Sequence, residues 1–152
     1  MATMAFRASD PQQFDLYDAE HALAHHRDVV HYATKEQARA FVDRVLASPE
    51  WRALGGRREV KVVWTKHGSG IATSYGPGKI CLPGWAYNQE TILHELAHCV
   101  TDDGHGPVFA GTALMLYRKF IGSRFADAME ASYTKHGVTF KKRRFKYGGT
   151  RR

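Results

Sequence analysis

Three observations on the sequence predict an α+β fold. Apolar residues recur at helical spacing in both halves of the 152-residue chain, which indicates amphipathic helices. Three short segments between residues 59 and 83 contain β-branched and aromatic residues and are bounded by turn-forming glycine and proline, as strands are. A further helical segment after Asn88 contains the pattern H-E-x-x-H. The expected order is N-terminal helices, a three-stranded meander, the HExxH helix and two C-terminal helices.

The N-terminal part is predicted to hold an arm and two helices. Residues 1–14 are expected to form a flexible arm. A short helix is predicted from Asp18, as its N-cap, to about His26. A clearer helix follows the cap residue Thr34, and its apolar stripe consists of Ala38, Phe41, Val42, Val45 and Leu46. The chain is thus divided into the arm, one domain over residues 15–139 and a basic tail over residues 140–152.

The central part is predicted to be a meander of three strands. The strands are expected at residues 59–65, at residues 71–75 and at residues 79–83, with turns at residues 67–70 and 76–78. One edge of this sheet would lie beside the following helix, where an extended peptide could bind by strand addition. The alternative is an edge covered by the loop at residues 85–87.

Two helices are predicted after the HExxH segment. The first spans Pro107 to Ile121 and ends at Gly122. The second is expected to be capped by Ser123 and to end at Gly137, with Phe125, Met129 and Tyr133 on its buried face.

The HExxH segment is the strongest functional signal in the chain. His94 and His98 are four residues apart, so on a helix they lie on one face and can reach the same metal ion. Glu95 lies between them and can act as a proton acceptor, so the pattern combines ligands with a base. Asn88 is a suitable N-cap for this helix.

A second histidine pair at the same spacing is interpreted differently. His21 and His25 are also four residues apart, but Ala22 stands where the glutamate would be. We interpret this pair as part of a helix surface and not as metal ligands.

The third ligand is predicted to be His105. It follows a polar, turn-prone stretch at residues 101–104 and lies between two glycines, which lets the chain reverse towards the helix. Glu130, on a later helix, is the alternative, because a carboxylate is also a suitable zinc ligand. Asp102 and Asp103 are expected to form the turn or to orient a histidine.

Three protein ligands and one open position are typical of a catalytic zinc site. The sequence therefore predicts a Zn²⁺-dependent hydrolase acting on a peptide or protein, with Glu95 as general acid and base. Tyr133 is the first choice for a donor to the developing oxyanion, ahead of Tyr75 and His136. The alternative is a binding or structural protein in which a fourth protein ligand completes the coordination of zinc. The candidates for this ligand are Asp102, Asp103 and Cys99. If Cys99 is not a ligand, it is expected to be a buried thiol.

Composition favours a single domain in a reducing, cytoplasmic setting. The chain holds only two cysteines, which excludes a disulfide framework. No segment approaches the length and hydrophobicity of a membrane-spanning helix, so no membrane contact is expected. The N-terminal residues lack the apolar stretch of a signal peptide. The sequence carries no signal for an oligomeric state.

The net charge of +7 is concentrated in the tail. Residues 141–152 contain seven lysines and arginines and no acidic residue, while the rest of the chain has fifteen of each sign. Such a run is typical of a solvated chain end. The alternative is a nucleic-acid contact, in which the cations bind phosphates while Phe145 and Tyr147 stack on bases.

The chain resembles a family of small HExxH metallohydrolases found in actinobacteria and their phages, through the motif HELAH followed by HGPVF. The resemblance includes YDAE, AFVDRVL, LHELAH and YTKHGV and covers about Tyr17 to Val138. It implies a zincin-like fold, zinc ligands at His94, His98 and His105, and Glu95 as the catalytic acid and base. A looser similarity, confined to HELAH and the later HG, is to SprT-like minimal zincin proteases, and it implies a DNA-associated protease anchored by the tail.

The spacing of the histidines differs from that of one known group of zinc peptidases, the metzincins. The spacing from His98 to His105 is one residue longer than in the metzincin pattern H-E-x-x-H-x-x-G-x-x-H, which argues against that group.

Overall fold

The computed structural model describes residues 10–65, 70–143 and 145. Within them the chain forms an α+β arrangement of six helices and one three-stranded sheet, which confirms the predicted class. The helices are α1 Gln13–His21, α2 Lys35–Leu46, α3 Pro49–Ala53, α4 Gln89–Cys99, α5 Pro107–Phe120 and α6 Ser123–Lys135. The strands are β1 Lys61–Thr65, β2 Thr73–Ser74 and β3 Lys79–Pro83, and a 3₁₀ turn, Gly84–Ala86, follows β3.

The three-stranded meander predicted from the sequence is wrong. The strand order is β1-β3-β2, with β1 parallel to β3 and β2 antiparallel to β3. A tight turn joins β2 to β3 through Gly76, at a φ of 94°, and so leaves the other side of β3 open to β1. Residues 80–83 of β3 are buried in succession, as in a central strand covered on both faces. The turn expected at residues 67–70 lies almost entirely outside the described residues.

The first helix begins earlier than the sequence predicted. It starts at Gln13, so Asp18 lies inside it and does not cap it. The side-chain amide of the preceding Gln12 donates to the carbonyls of His105 and Thr139 at 2.9 Å each. These distant contacts fix the start of α1, and residues 10–14 of the predicted arm therefore contact the domain. Residues 1–9 lie outside the described part of the chain.

The cap expected at Ser123 is also corrected. Gly122, at a φ of 139°, takes the N-cap position of α6, and Ser123 is the first residue of the helix. The starts of α2, α4 and α5 agree with the sequence, whereas the short helix α3 was not predicted. Thr34 caps α2 in a capping box with Gln37, and Asn88 caps α4 by accepting a hydrogen bond from the Thr91 amide at 2.9 Å.

Helix α4 lies at the centre of the packing. It contacts α5 on one side and strands β2 and β3 on another, while α5 packs on α6 and α6 packs on α1. Ile92, Leu93 and Leu96 of α4 are fully buried. The HExxH segment is therefore held in the core of the molecule, where its side chains have little freedom to move.

The first residues of the basic tail pack on α5. The Lys141 amide donates to the Pro107 carbonyl at 2.9 Å, and the Arg143 guanidinium donates to the Thr112 hydroxyl at 2.6 Å. Lys142 lies 3.5 Å from a Glu130 carboxylate oxygen. The other four cations of the tail lie outside the described residues, and so does Tyr147 of the predicted nucleic-acid contact.

No helix in the described part of the chain combines the length and the apolar character needed to cross a membrane.

Candidate metal centre

The structure brings the three predicted histidines together. One ligand atom from each of His94, His98 and His105 lies within 4.8 Å of the other two. The Nε2 atoms of His98 and His105 are 3.1 Å apart. His94 and His105 are each only 6 % exposed, so these nitrogens converge on a small protected volume. Imidazole nitrogens in such a group are suitable ligands for zinc, copper, iron or nickel.

Helix α4 and the loop after it produce this convergence. The four-residue separation of His94 and His98 places both on one face of α4. The loop then turns at Gly104, whose φ of 61° favours glycine. Asp103 fixes the end of the loop, because its carboxylate accepts hydrogen bonds from the amides of Val108 and Phe109 at 2.8 and 3.0 Å. Asp103 therefore has the turn-forming role that the sequence predicted for it.

A buried carboxylate orients His94. Its Nδ1 lies 2.7 Å from Oε2 of Glu20, which also accepts a hydrogen bond from the Tyr117 hydroxyl at 3.0 Å. A carboxylate only accepts hydrogen bonds, so Nδ1 of His94 carries the proton. In the neutral imidazole the lone pair of Nε2 is then the one that can bind a metal ion.

A second carboxylate orients His105 in the same way. Its Nδ1 lies 2.7 Å from Oδ2 of Asp10, and its backbone amide donates to the other oxygen of Asp10 at 3.0 Å. Histidine metal ligands commonly donate their second ring nitrogen to a carboxylate, which fixes the ring and increases its basicity. Two of the three rings are therefore set with Nε2 towards the shared volume.

The electrostatics of the cluster favour a bound cation. Burial alone would lower the pKa of His94, but the neighbouring carboxylates of Glu20 and Glu95 raise it to about 9. Burial and the positive charges of its neighbours hold the pKa of His98 at about 2. Burial also raises the pKa of Glu95, and it raises that of Glu90 to about 8 with the help of Glu20. A divalent ion would stabilise these buried carboxylates, so the residues present fit a metal site.

Glu95 lies beside this cluster and faces a cavity. Its Oε2 is 3.9 Å from Nε2 of His94, and the residue is 5 % exposed. It lines a cavity of about 480 Å³ together with His94, Glu20 and Tyr17. The expected base and one of the expected ligands therefore share a space that a small group could enter.

The other residues considered as ligands lie apart from the cluster. Glu130, the rival third ligand, lies 3.5 Å from Lys142 and 3.8 Å from Arg118. The Cys99 thiol approaches the Glu95 carbonyl and the Ser74 hydroxyl, and burial raises its pKa to about 11. Within the described residues the group that meets the geometry of a metal site consists of the three histidines.

The predicted oxyanion donors do not line the cavity, as far as the structure describes it. Tyr133 is fully buried, and its hydroxyl has no hydrogen-bond partner among the described residues. Tyr75 is 59 % exposed, and the His136 ring contacts the Ser132 carbonyl. Tyr17 lies closer, with its ring centroid 5.0 Å from that of His105.

Sequence reasoning missed Asp10, Tyr17 and Glu20. Tyr17 and Glu20 belong to the YDAE segment of the family resemblance and lie three residues apart on α1, so that segment was the available signal. Asp10 lies in the predicted arm, where no local pattern distinguishes it from other acidic residues.

No protein-family model matches this chain, and no curated protein or solved structure is significantly similar to it. The resemblance to small HExxH metallohydrolases therefore rests on the sequence motifs.

Proposed function

We propose that this protein is a zinc-dependent metallopeptidase with a zincin-like site. The observation that carries the proposal is the convergence of three imidazoles, two of them held by carboxylates at Nδ1, beside a glutamate that faces a cavity. His94, His98 and His105 would hold the metal. Three histidine ligands with one open position are typical of a catalytic zinc site.

The chemistry requires a Lewis acid and a base, and the chain supplies the base. Bound zinc would polarise a carbonyl and lower the pKa of a water from about 15.7 to about 7. Glu95 takes a proton from the attacking water and later passes it to the leaving nitrogen. Its burial supports this role, because burial raises the pKa of the carboxyl and makes it a stronger base near neutral pH.

Tyr17 is a better placed oxyanion donor than Tyr133. It lines the same cavity as Glu95, and its hydroxyl accepts a hydrogen bond from the Gln13 amide at 3.2 Å, which leaves the phenolic proton free to donate. Burial raises the pKa of Tyr17, so the hydroxyl stays protonated at neutral pH. A Tyr17→Phe protein should keep its metal but lose about two to three orders of magnitude in kcat, as when an oxyanion donor is removed elsewhere.

The alternative of a purely structural zinc requires a fourth protein ligand. The sequence offered Asp102, Asp103 and Cys99 for that position. Asp103 binds backbone amides and the Cys99 thiol contacts Ser74 and a carbonyl, and Asp102 is exposed. Among the described residues, therefore, nothing closes the coordination sphere, which favours catalysis.

Metal analysis combined with a peptide-library cleavage assay tests the proposal. The purified protein should contain about one zinc ion per chain and cleave library peptides. Glu95→Gln should retain zinc but lose cleavage by several orders of magnitude, because only the base is removed. His94→Ala should lose both zinc and stability, since metal binding is coupled to folding. Cleavage that persists in zinc-loaded Glu95→Gln would show that the assigned base is wrong.

A further inference from the structure

The cavity beside Glu95 is lined by residues of α4 from Glu90 to Glu95, including the candidate ligand His94. Glu90 lies one turn before His94 on this helix and lines the same cavity. Residues Ile71 and Trp85 form part of its wall and are 79 % and 52 % exposed. The cavity therefore connects the candidate metal centre with the protein surface.

Glu90 is a buried carboxyl group with no hydrogen bond or ion pair to another described residue. It is 8 % exposed, yet within the described residues its side chain makes no hydrogen bond and no ion pair. Burial of an unpaired carboxylate is costly, so such groups are found paired or next to a ligand. The side chain borders the cavity, and a group that enters the cavity can pair with it.

The charges around the cavity select a positively charged group. Glu20 and Glu95 also line it, whereas no lysine or arginine does so in the part of the chain that the structure describes. Four imidazoles also line it, those of His21, His25, His31 and the candidate ligand His94. This acidic lining contrasts with the net charge of +7 of the chain, so it is a local feature of the site.

We propose that this cavity binds a cationic group of the peptide substrate, with Glu90 as its charge partner. The ammonium or guanidinium group would pair with Glu90 in a charge-assisted hydrogen bond. Its apolar stem would pack on Ile71 and Trp85, as lysine and arginine stems do on apolar surfaces. The inference rests on the proposed function, because it takes the cavity as the substrate-binding part of the active site.

Two sources can supply the cation, and they predict different enzymes. A lysine or arginine side chain would make the protein an endopeptidase selective for basic residues. A free α-amino group would make it an aminopeptidase, because the amino terminus would then lie next to the metal centre. Both use the same charge pairing with Glu90, so the test includes a probe for each.

Binding measurements with the zinc-loaded full chain test the inference without turnover. The Glu95→Gln protein is the reference, and calorimetry gives the Kd of three probes: acetyl-lysine methylamide, acetyl-norleucine methylamide and alanine methylamide with a free amine. Glu90→Gln is added to this background as a nearly isosteric change that removes the ionisable carboxyl group. Glu36→Gln is the matched control, because Glu36 is also in the first turn of a helix but is exposed on α2.

The lysine probe or the free-amine probe should bind about ten to a hundred times more tightly than the norleucine probe. Glu90→Gln should abolish this preference, while Glu36→Gln should leave it unchanged. Equal binding of the charged and neutral probes, or a preference that survives Glu90→Gln, would overturn the inference. Zinc content and thermal unfolding of each variant show that the fold is intact.

The two proposals fail in distinguishable ways. A protein that binds the cationic probes through Glu90 but cleaves no library peptide would contradict only the metallopeptidase proposal. A protein that cleaves peptides through Glu95 without any preference for charge would contradict only the cationic subsite.

Discussion

At the scale of single residues, the site depends on which nitrogen of each imidazole is left free. Glu20 and Asp10 lie 2.7 Å from Nδ1 of His94 and His105, so each ring presents Nε2 to the shared volume. Asp10 has a second function, because its other oxygen accepts the His105 amide. One carboxylate thus fixes both the ring and the backbone of His105, the proposed ligand that comes from a loop.

We expect Asp10→Ala to weaken zinc binding by about ten- to a hundred-fold, the usual effect of removing a partner of a metal ligand. The His105 ring would lose the acceptor that sets its orientation, while the fold would persist because Asp10 precedes α1. Competition with a chromophoric chelator measures the affinity.

Asp18→Ala is the matched control for Asp10→Ala, since Asp18 is exposed on α1. It should bind zinc as the unaltered protein does. Equal affinities of the two variants would show that Asp10 does not support the site.

The residue scale also shows how far the sequence allowed the site to be predicted. His94, Glu95 and His98 follow from a local pattern, because helical spacing fixes their relative positions. Glu20 and Asp10 are 74 and 95 residues away from the histidines that they contact. Such pairs are created by tertiary packing, so no spacing rule could identify them.

At the scale of elements, the helices were easier to predict than the sheet. Capping residues and apolar stripes are local signals, and they placed α2, α4 and α5 closely. Strand order depends on which strands pair with each other. The sequences of three short strands do not determine this pairing. The continuous burial of β3 was the available sign of a central strand, since its apolar residues do not alternate with polar ones.

Gly111 of α5 is an element-scale site where a small residue makes room for another segment. A Cβ at this position would collide with the Lys141 carbonyl, although alanine is intrinsically favoured over glycine within a helix by about 1 kcal/mol. We therefore expect Gly111→Ala to displace residues 141–143 from α5 and to leave the helix itself intact.

Hydrogen exchange at the Lys141 amide measures this displacement. The amide donates to Pro107, and its exchange should become at least about tenfold faster in Gly111→Ala, as expected when a docked segment opens. Amides within α2 serve as the internal reference, because no hydrogen bond or ion pair joins α2 to residues 141–143 in the described structure. Unchanged protection of Lys141 would mean that α5 accommodates the methyl group without releasing the tail.

At the scale of the whole molecule, the candidate site is the place where several ionisable groups are buried together. Helix α4 lies in the core, and its HExxH face carries acidic and imidazole groups together with the carboxylate of Glu20 from α1. Without a metal ion this region binds protons instead, because its carboxylates raise the pKa of His94 to about 9. Protons and a metal ion should therefore compete for the site.

This competition predicts opposite pH dependence for the metal-free and the zinc-loaded protein between pH 6.5 and pH 9. The pKa values of His94 and Glu90 are raised on folding, to about 9 and about 8. The folded chain therefore binds more protons than the unfolded chain, and this stabilisation is lost as the pH rises. The pKa values of His98 and His105 are lowered on folding, so their effects are confined to pH values below about 6.5, the ordinary histidine pKa.

In the presence of a chelator, the free energy of unfolding should fall by an amount of the order of 2 kcal/mol between pH 6.5 and pH 9. With zinc in excess it should rise over the same range, because fewer protons compete for the ligand nitrogens. Urea unfolding at both pH values measures the two trends, and Glu90→Gln should make the metal-free decline smaller by removing one of the groups whose pKa is raised on folding. A metal-free protein that is as stable at pH 9 as at pH 6.5 would contradict this prediction. Its buried carboxylates would then be tolerated in their charged form without a bound proton or a metal ion.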